Sequence, residues 1–202
     1  MIKNIITDLG NVVLEFNPLN LVQKYGVNPE RIEEVASAIF MGEDWYYWDR
    51  DLITKAELEN NAVALLNPED RKLVNNILNS WWEYMEFNEP LLDFYKEQKG
   101  EGKKIYILSN YSPDFYELKW DQKYYDLFDG QVISCDYKVG KPDPKIYEIL
   151  IDKYNLKPCE SLIIDDLNIN LEASRKFGLS TIRYHLKEMD LEDLIYEYQK
   201  HI

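Results

Sequence analysis

The chain has 202 residues, 46% hydrophobic and 30% charged, which allows one core domain with a modest insertion and excludes two full-sized enzymes. Its net charge of −14 speaks against nucleic acid or an anionic membrane as a standing partner, because neutralising phosphates takes clustered Lys and Arg. No stretch approaches the ~20 apolar residues of a membrane span, and Met1 to Ile6 lacks the features of a secretion signal, so the cytoplasm is the expected compartment. A phosphorylated partner would then need a local positive site, which a metal ion and one fixed lysine supply. Cys135 and Cys159 fit no metal-ligand spacing and read as reduced and structural. His185 and His201 lie near the C-terminus without a partner pattern, which excludes a histidine-centred triad.

In chain order, Ile2 to Thr7 is a short apolar run ending at Asp8 and reads as a buried strand. The next stretch carries helix signals and no strand signal. Asn17-Pro18, Asn28-Pro29 and Asn67-Pro68 each offer an N-cap followed by proline at the first helical position, the last opening a helix to about Met85. Thr54-Lys55-Ala56-Glu57 is a capping box that opens a helix from Lys55 to Leu66. Further on, strands are expected at Lys104 to Leu108, Gln131 to Ser134, Ser161 to Ile164 and Ser180 to Tyr184. Helices are expected over Pro90 to Lys99, Pro113 to Tyr124, Pro144 to Tyr154 and Asn168 to Phe177, with Gly178 as a C-cap, and a last one around Leu191 to Tyr198. Alternating strands and helices imply an α/β fold whose parallel sheet is covered on both faces. Residues 16–87 then form an inserted helical bundle, and residues 1–15 and 88–202 the core.

In such sheets ligands bind beyond the carboxyl ends of the strands, which draws attention to the polar residues found there. Asp8, followed by Gly10, is by itself a turn aspartate capping its own backbone, or else a nucleophilic carboxylate that forms an acyl-phosphate. Asp165-Asp166 is harder to dismiss, because adjacent carboxylates at a buried strand end repel unless a cation joins them. Hard oxygen ligands of this kind suit Mg²⁺, and neighbouring strands would bring Asp8 and Asp166 about 5 Å apart. Ser109 alone would be a helix cap; beside Asp8, its hydroxyl and the backbone N–H of Asn110 are placed to hold a phosphoryl oxygen. Lys141 alone would be a surface lysine, but Pro142 and Pro144 stiffen its turn and aim it where three carboxylates need a positive charge.

Asp8, Ser109, Lys141 and Asp165-Asp166, in this order and each at a strand end or the following loop, resemble the four-motif signature of the haloacid dehalogenase superfamily. The resemblance covers the whole chain, with residues 16–87 in the place of that family's helical cap over a Rossmann-like core. It implies a phosphatase acting on a small phosphorylated metabolite, with Asp8 as nucleophile and Ser109 and Lys141 stabilising the transferring phosphoryl group. It further implies Mg²⁺ held by Asp8, the backbone carbonyl of Gly10 and Asp166, with Asp165 acting through water, and Asn170 orienting the loop. The Asp-Leu-Gly-Asn-Val form is similar to a branch containing alpha-glucose-1-phosphate phosphatases, which makes a sugar phosphate the expected substrate and a monomer or homodimer the expected state.

The chain departs from the pattern at Gly10, where most such phosphatases carry a second aspartate as general acid and base. Losing that group typically costs ~10²–10⁴ in rate, and nothing in the sequence nominates a replacement. Two other readings follow: a metal-free 2-haloacid dehalogenase, against which the acidic pair stands, and a phosphate-binding module without catalysis. Trp45, Trp48 and Arg50 are candidates for substrate selection, set against a plain aromatic core for that segment; Trp81-Trp82 is assigned to packing.

Overall fold

A computed structural model describes residues 1–124 and 126–202. The first strand, β1 (Asn4–Thr7), is buried along its whole length. A second, two-residue strand, β2 (Leu14–Glu15), follows. Helices then fill the stretch to residue 78: α1 (Pro18–Lys24), α2 (Ile32–Phe40), α3 (Glu43–Trp48), α4 (Lys55–Leu65) and α5 (Arg71–Leu78). The start signals act as anticipated. Asn17 Oδ1 accepts from the N–H groups of Leu19 and Asn20 at 3.1 Å each. Thr54 and Glu57 close a reciprocal box, Glu57 N donating to Thr54 Oγ1 (3.2 Å) and Thr54 N to Glu57 Oε2 (2.7 Å). Strand β3 (Glu86–Phe87) pairs antiparallel with β2 and ties the two ends of this helical stretch together. So short a ribbon leaves no alternating pattern for sequence reading to find, and none was expected there.

The rest runs α6 (Glu89–Gly100), β4 (Lys104–Ser109), β5 (Gly130–Ile133), a single helical turn α7 (Ser134–Tyr137) that was not expected, α8 (Pro144–Tyr154), β6 (Ser161–Asp165), α9 (Asn168–Arg175), β7 (Ser180–Arg183) and α10 (Leu191–Gln199). Strands β5-β4-β1-β6-β7 form one sheet in that order, every pair parallel. Alternation of side chains along each strand sends them to opposite faces. Ile5, Ile105 and Leu162 pack with Leu91, Leu92 and Tyr95 of α6 and with Leu194 and Tyr198 of α10. Ile6, Tyr106 and Ile163 pack with Ile146, Tyr147 and Leu150 of α8 and with Leu171 of α9. Each such side chain, fully withdrawn from water, contributes about 1.5–3 kcal/mol. No helix of the described residues is long and apolar enough to cross a membrane.

Two expected helices are broken. The segment from Pro68 ends its α-helix at Leu78, and Trp81–Tyr84 is a 3₁₀ turn. This re-aims Trp81, which stacks on Tyr111 (centroids 5.3 Å apart) and meets Trp45 edge-on (5.2 Å). The segment Pro113 to Tyr124 forms 3₁₀ turns over Pro113–Glu117 and Gln122–Tyr124 instead of one helix. Asp114 there accepts from Lys55 Nζ (2.7 Å) and Trp81 Nε1 (2.9 Å), and Trp120 packs between Phe87 and Phe128. In the first case the helix starts as expected and long-range contacts end it early; in the second they replace the helix altogether.

Candidate active site

Asp8 sits one residue past β1, its N–H donating to Ile164 of β6 (2.9 Å). Because β4 and β6 flank β1, the ends of three adjacent strands converge on it. Ser109 closes β4 and Asp165 closes β6, both buried. The carboxylates of Asp8, Asp165 and Asp166 offer ligand atoms within 4.8 Å of one another, in line with the separation expected from strand spacing.

Lys141 enters from the loop before α8 and is buried. Its Nζ lies 2.9 Å from Asp8 Oδ1 and 2.5 Å from Asp165 Oδ2. The lysine is aimed by its main chain: Asn110 Oδ1 accepts from Lys141 N (2.7 Å), and Asn110 Nδ2 donates to Lys141 O (2.8 Å). The Asn110 side chain thus clamps the lysine loop, while the site reading had assigned this residue to phosphate through its backbone N–H. Gly140 is required beside it, since a Cβ there would collide with Asn110 Oδ1 and Arg50 Nη2.

The two adjacent aspartates do different things. Both oxygens of Asp165 are engaged: Oδ1 accepts from Leu167 N and Asn170 Nδ2 (2.9 Å each), and Oδ2 holds Lys141. The Asp166 carboxylate accepts only a long contact from Asn11 Nδ2 (3.5 Å) among the described residues, which leaves it available. Asn11 was not anticipated. It follows Gly10 in the left-handed region (φ 56°), a conformation asparagine tolerates, and its Oδ1 also accepts from Phe16 N (3.2 Å).

Electrostatics match this division. Burial, opposed by Lys141 and reinforced by Asp165 and Asp166, pushes the Asp8 carboxyl up to about 7. Burial and Asp165 likewise raise Asp166. For Lys141, burial is outweighed by Asp165 and Asp8, which hold the ammonium above its ordinary value. Three carboxylates against one ammonium leave a formal excess of two negative charges, so a divalent cation would bring the cluster to neutrality. The donor set, carboxylate oxygens beside a backbone turn, suits a hard ion such as Mg²⁺.

Beside the cluster lies a chamber of about 110 Å³, lined by Gly10, Phe16, Trp45, Asp49, Trp81, Met85, Asn110 and Tyr111. The chamber adjoins the cluster through Gly10 and Asn110, neighbours of Asp8 and Ser109 in the chain, whereas a larger surface groove of about 590 Å³, lined by Glu15, Lys24 and Lys187 among others, has no residue of either loop. Trp45 therefore does border the chamber that Gly10 lines. Trp48 does not line this chamber and is buried. Arg50 does not line it either. It stacks on Tyr46 (3.4 Å to the ring centroid) and donates to Tyr46 O (2.9 Å) and Lys141 O (3.0 Å). Buried guanidinium groups need such acceptors, and these lie away from the chamber. Asp49, which the sequence did not single out beside the aromatic run Trp45 to Trp48, borders the chamber instead. Burial, opposed by Arg50 and helped by Asp8, pushes its carboxyl up to about 7.

Fold and cluster together are those of a hydrolase built on a parallel sheet. A family model described as haloacid dehalogenase-like hydrolase matches residues 2–178. Over 199 residues the chain is 23% identical to the sesquiterpene phosphatase astK of Aspergillus oryzae, which covers 96% of each chain. Over 123 residues it is 27% identical to (S)-2-haloacid dehalogenase 4A of Burkholderia cepacia, spanning 60% of this chain and 53% of that one. Among solved structures, a HAD-family enzyme of Bacteroides thetaiotaomicron in complex with magnesium and inorganic phosphate superposes with a TM-score of 0.74. That pair is 23% identical, over 96% of this chain and 99% of the other. The chain belongs to the haloacid dehalogenase-like hydrolase family.

Proposed function

We propose that this hydrolase is a Mg²⁺-dependent phosphatase that cleaves a small phosphomonoester through an aspartyl-phosphate on Asp8. The observation that carries the reading is the uncommitted carboxylate of Asp166 beside Asp8, in a cluster two negative charges in excess. Asp8, Asp166 and the Gly10 carbonyl would hold the ion, which when bound supplies positive charge to the phosphoryl oxygens. Asp165 is better suited to anchoring Lys141 than to reaching a metal through water, because its oxygens are already taken. Asp8 attacks phosphorus, and Lys141 and Ser109 stabilise the charge that moves onto the phosphoryl oxygens.

Residues 16–87 serve as a helical cap over a core of residues 1–15 and 88–202, and the chamber between Gly10 and Trp45 receives the organic part of the substrate. Its volume, about 110 Å³, lies well under the ~300–1,000 Å³ of pockets for drug-sized ligands. That supports a small group over one the size of a sesquiterpene. Aromatic faces of Phe16, Trp45 and Trp81 and the polar Asp49 suit a compact sugar, the narrower reading. The test is a panel of hexose, triose and apolar phosphomonoesters with Mg²⁺. Phosphate release is expected to vanish with chelation and with Asp8→Asn; turnover that survives both would remove the proposal. The likeness to a haloacid dehalogenase keeps a second reading in the test, and halide release without added metal would favour it.

A further inference from the structure

Where this family's phosphatases carry their acid–base aspartate, this chain has Gly10, and a Cβ built there meets no atom within 4 Å. The space is open, and it belongs to the chamber that Asp49 borders from the end of α3. We propose that Asp49 is the general acid and base of this site, supplying from the helical side the carboxyl group that Gly10 lacks. The inference rests on the phosphatase reading given above.

The backbone of Asp49 is fixed from several directions. Its N–H donates to Trp45 O (2.8 Å), its carbonyl accepts from the Ser134 hydroxyl, and the Ser112 N–H faces its carboxyl group. The charged groups around it are Arg50, Asp8 and Asp114, with the Tyr111 hydroxyl, which has no hydrogen-bond partner, on the same wall. Aromatic surroundings keep a proton on a carboxyl group near neutral pH, as the raised value of Asp49 reflects. The side chain is therefore a donor before the reaction and an acceptor after it.

In the first step Asp8 forms a bond to phosphorus, the bond from phosphorus to the substrate oxygen breaks, and the Asp49 proton passes to that oxygen. An alcohol leaves and Asp49 is ionised. In the second step water attacks phosphorus and gives a proton to Asp49. The bond to Asp8 breaks, phosphate leaves, and both aspartates return to their starting states. One carboxyl group serves both directions, as proton balance requires.

The test compares the wild type with Asp49→Asn on p-nitrophenyl phosphate, whose leaving group needs no proton, and on an alkyl phosphate, whose leaving group does. Asp49→Asn is expected to lower kcat/KM for the alkyl ester by ~10²–10³ and for the aryl ester by less than about tenfold. Rapid acid quench of the aryl reaction should then show phosphoenzyme accumulating, because water is no longer activated. A structural role would lower both esters alike without accumulation, and that result, or no loss at all, overturns the proposal. The double variant Gly10→Asp/Asp49→Asn is expected to recover the alkyl-to-aryl ratio, given the room beside Gly10. Absence of recovery would overturn the claim that Asp49 stands in for the missing side chain. Turnover persisting in Asp8→Asn would instead defeat the phosphatase reading and leave a distinct signature.

Discussion

The two walls of the site are built on opposite principles. At the sheet end, charged groups lie in direct contact, and Asp165 and Lys141 have their hydrogen-bonding capacity largely used up within the protein. On the helical side the wall is aromatic and Asp49 is the polar group it presents; facing it from beyond β4 is the Tyr111 hydroxyl, which has no hydrogen-bond partner among the described residues. A saturated network is a rigid one, suited to holding charge in place. A sparsely satisfied apolar wall is suited to meeting a ligand. On the proposed function, the sheet end holds the phosphoryl group and the helical side meets the leaving group, with Asp49 as its proton carrier.

The strongest way to test this division uses neighbouring residues. Asp165→Asn strips Lys141 of its shortest ion pair and should destabilise the metal-free protein by about 3 kcal/mol, read from urea unfolding. Asp166→Asn removes a like charge and should leave metal-free stability unchanged or higher, while abolishing the rise in melting temperature on adding Mg²⁺. Equal losses from the two would break the comparison. Arg50→Ala tests the joint between the walls and should cost about 2 kcal/mol, with a fall in kcat from a loosened Lys141 loop.

The last effect concerns pH. Asp8 titrates at about 7 in the folded protein against an ordinary 3.8, so the folded state binds more protons in between. Its stabilising contribution is complete below about pH 4 and is lost as pH rises through about 7. Metal-free stability should therefore decline between about pH 5 and pH 8, by roughly 2–3 kcal/mol, and Mg²⁺ should flatten the decline. A metal-free melting temperature that climbs across this window would contradict the assigned cluster.

Much of the sheet was legible because parallel strands buried on both faces read as short apolar runs, and polar residues at their ends stand out against them. Asp8, Ser109 and Asp165 were readable for that reason. Lys141 was readable from the prolines that follow it, though its clamp by Asn110 was not, since a side chain gripping the backbone 31 residues away leaves no local pattern. Trp81 and Asp114 illustrate the same limit: capping signals announced helices that tertiary contacts then broke. Asp49 was hidden for another reason. An aspartate after four aromatics reads as a turn, and only the packing of α3 against the sheet end reveals that it borders a cavity. An acid embedded in an aromatic run was the one cue available.

Arg50 carries a last consequence. Its guanidinium reaches from the helical side to the carbonyl of the very lysine that faces Asp8. Any motion that lifts α3 to admit substrate must break that bond and the stacking that orients it. The lysine loop would still keep its Asn110 clamp and its ion pairs to Asp8 and Asp165, so Arg50 ties the helical side to that loop without being its sole anchor.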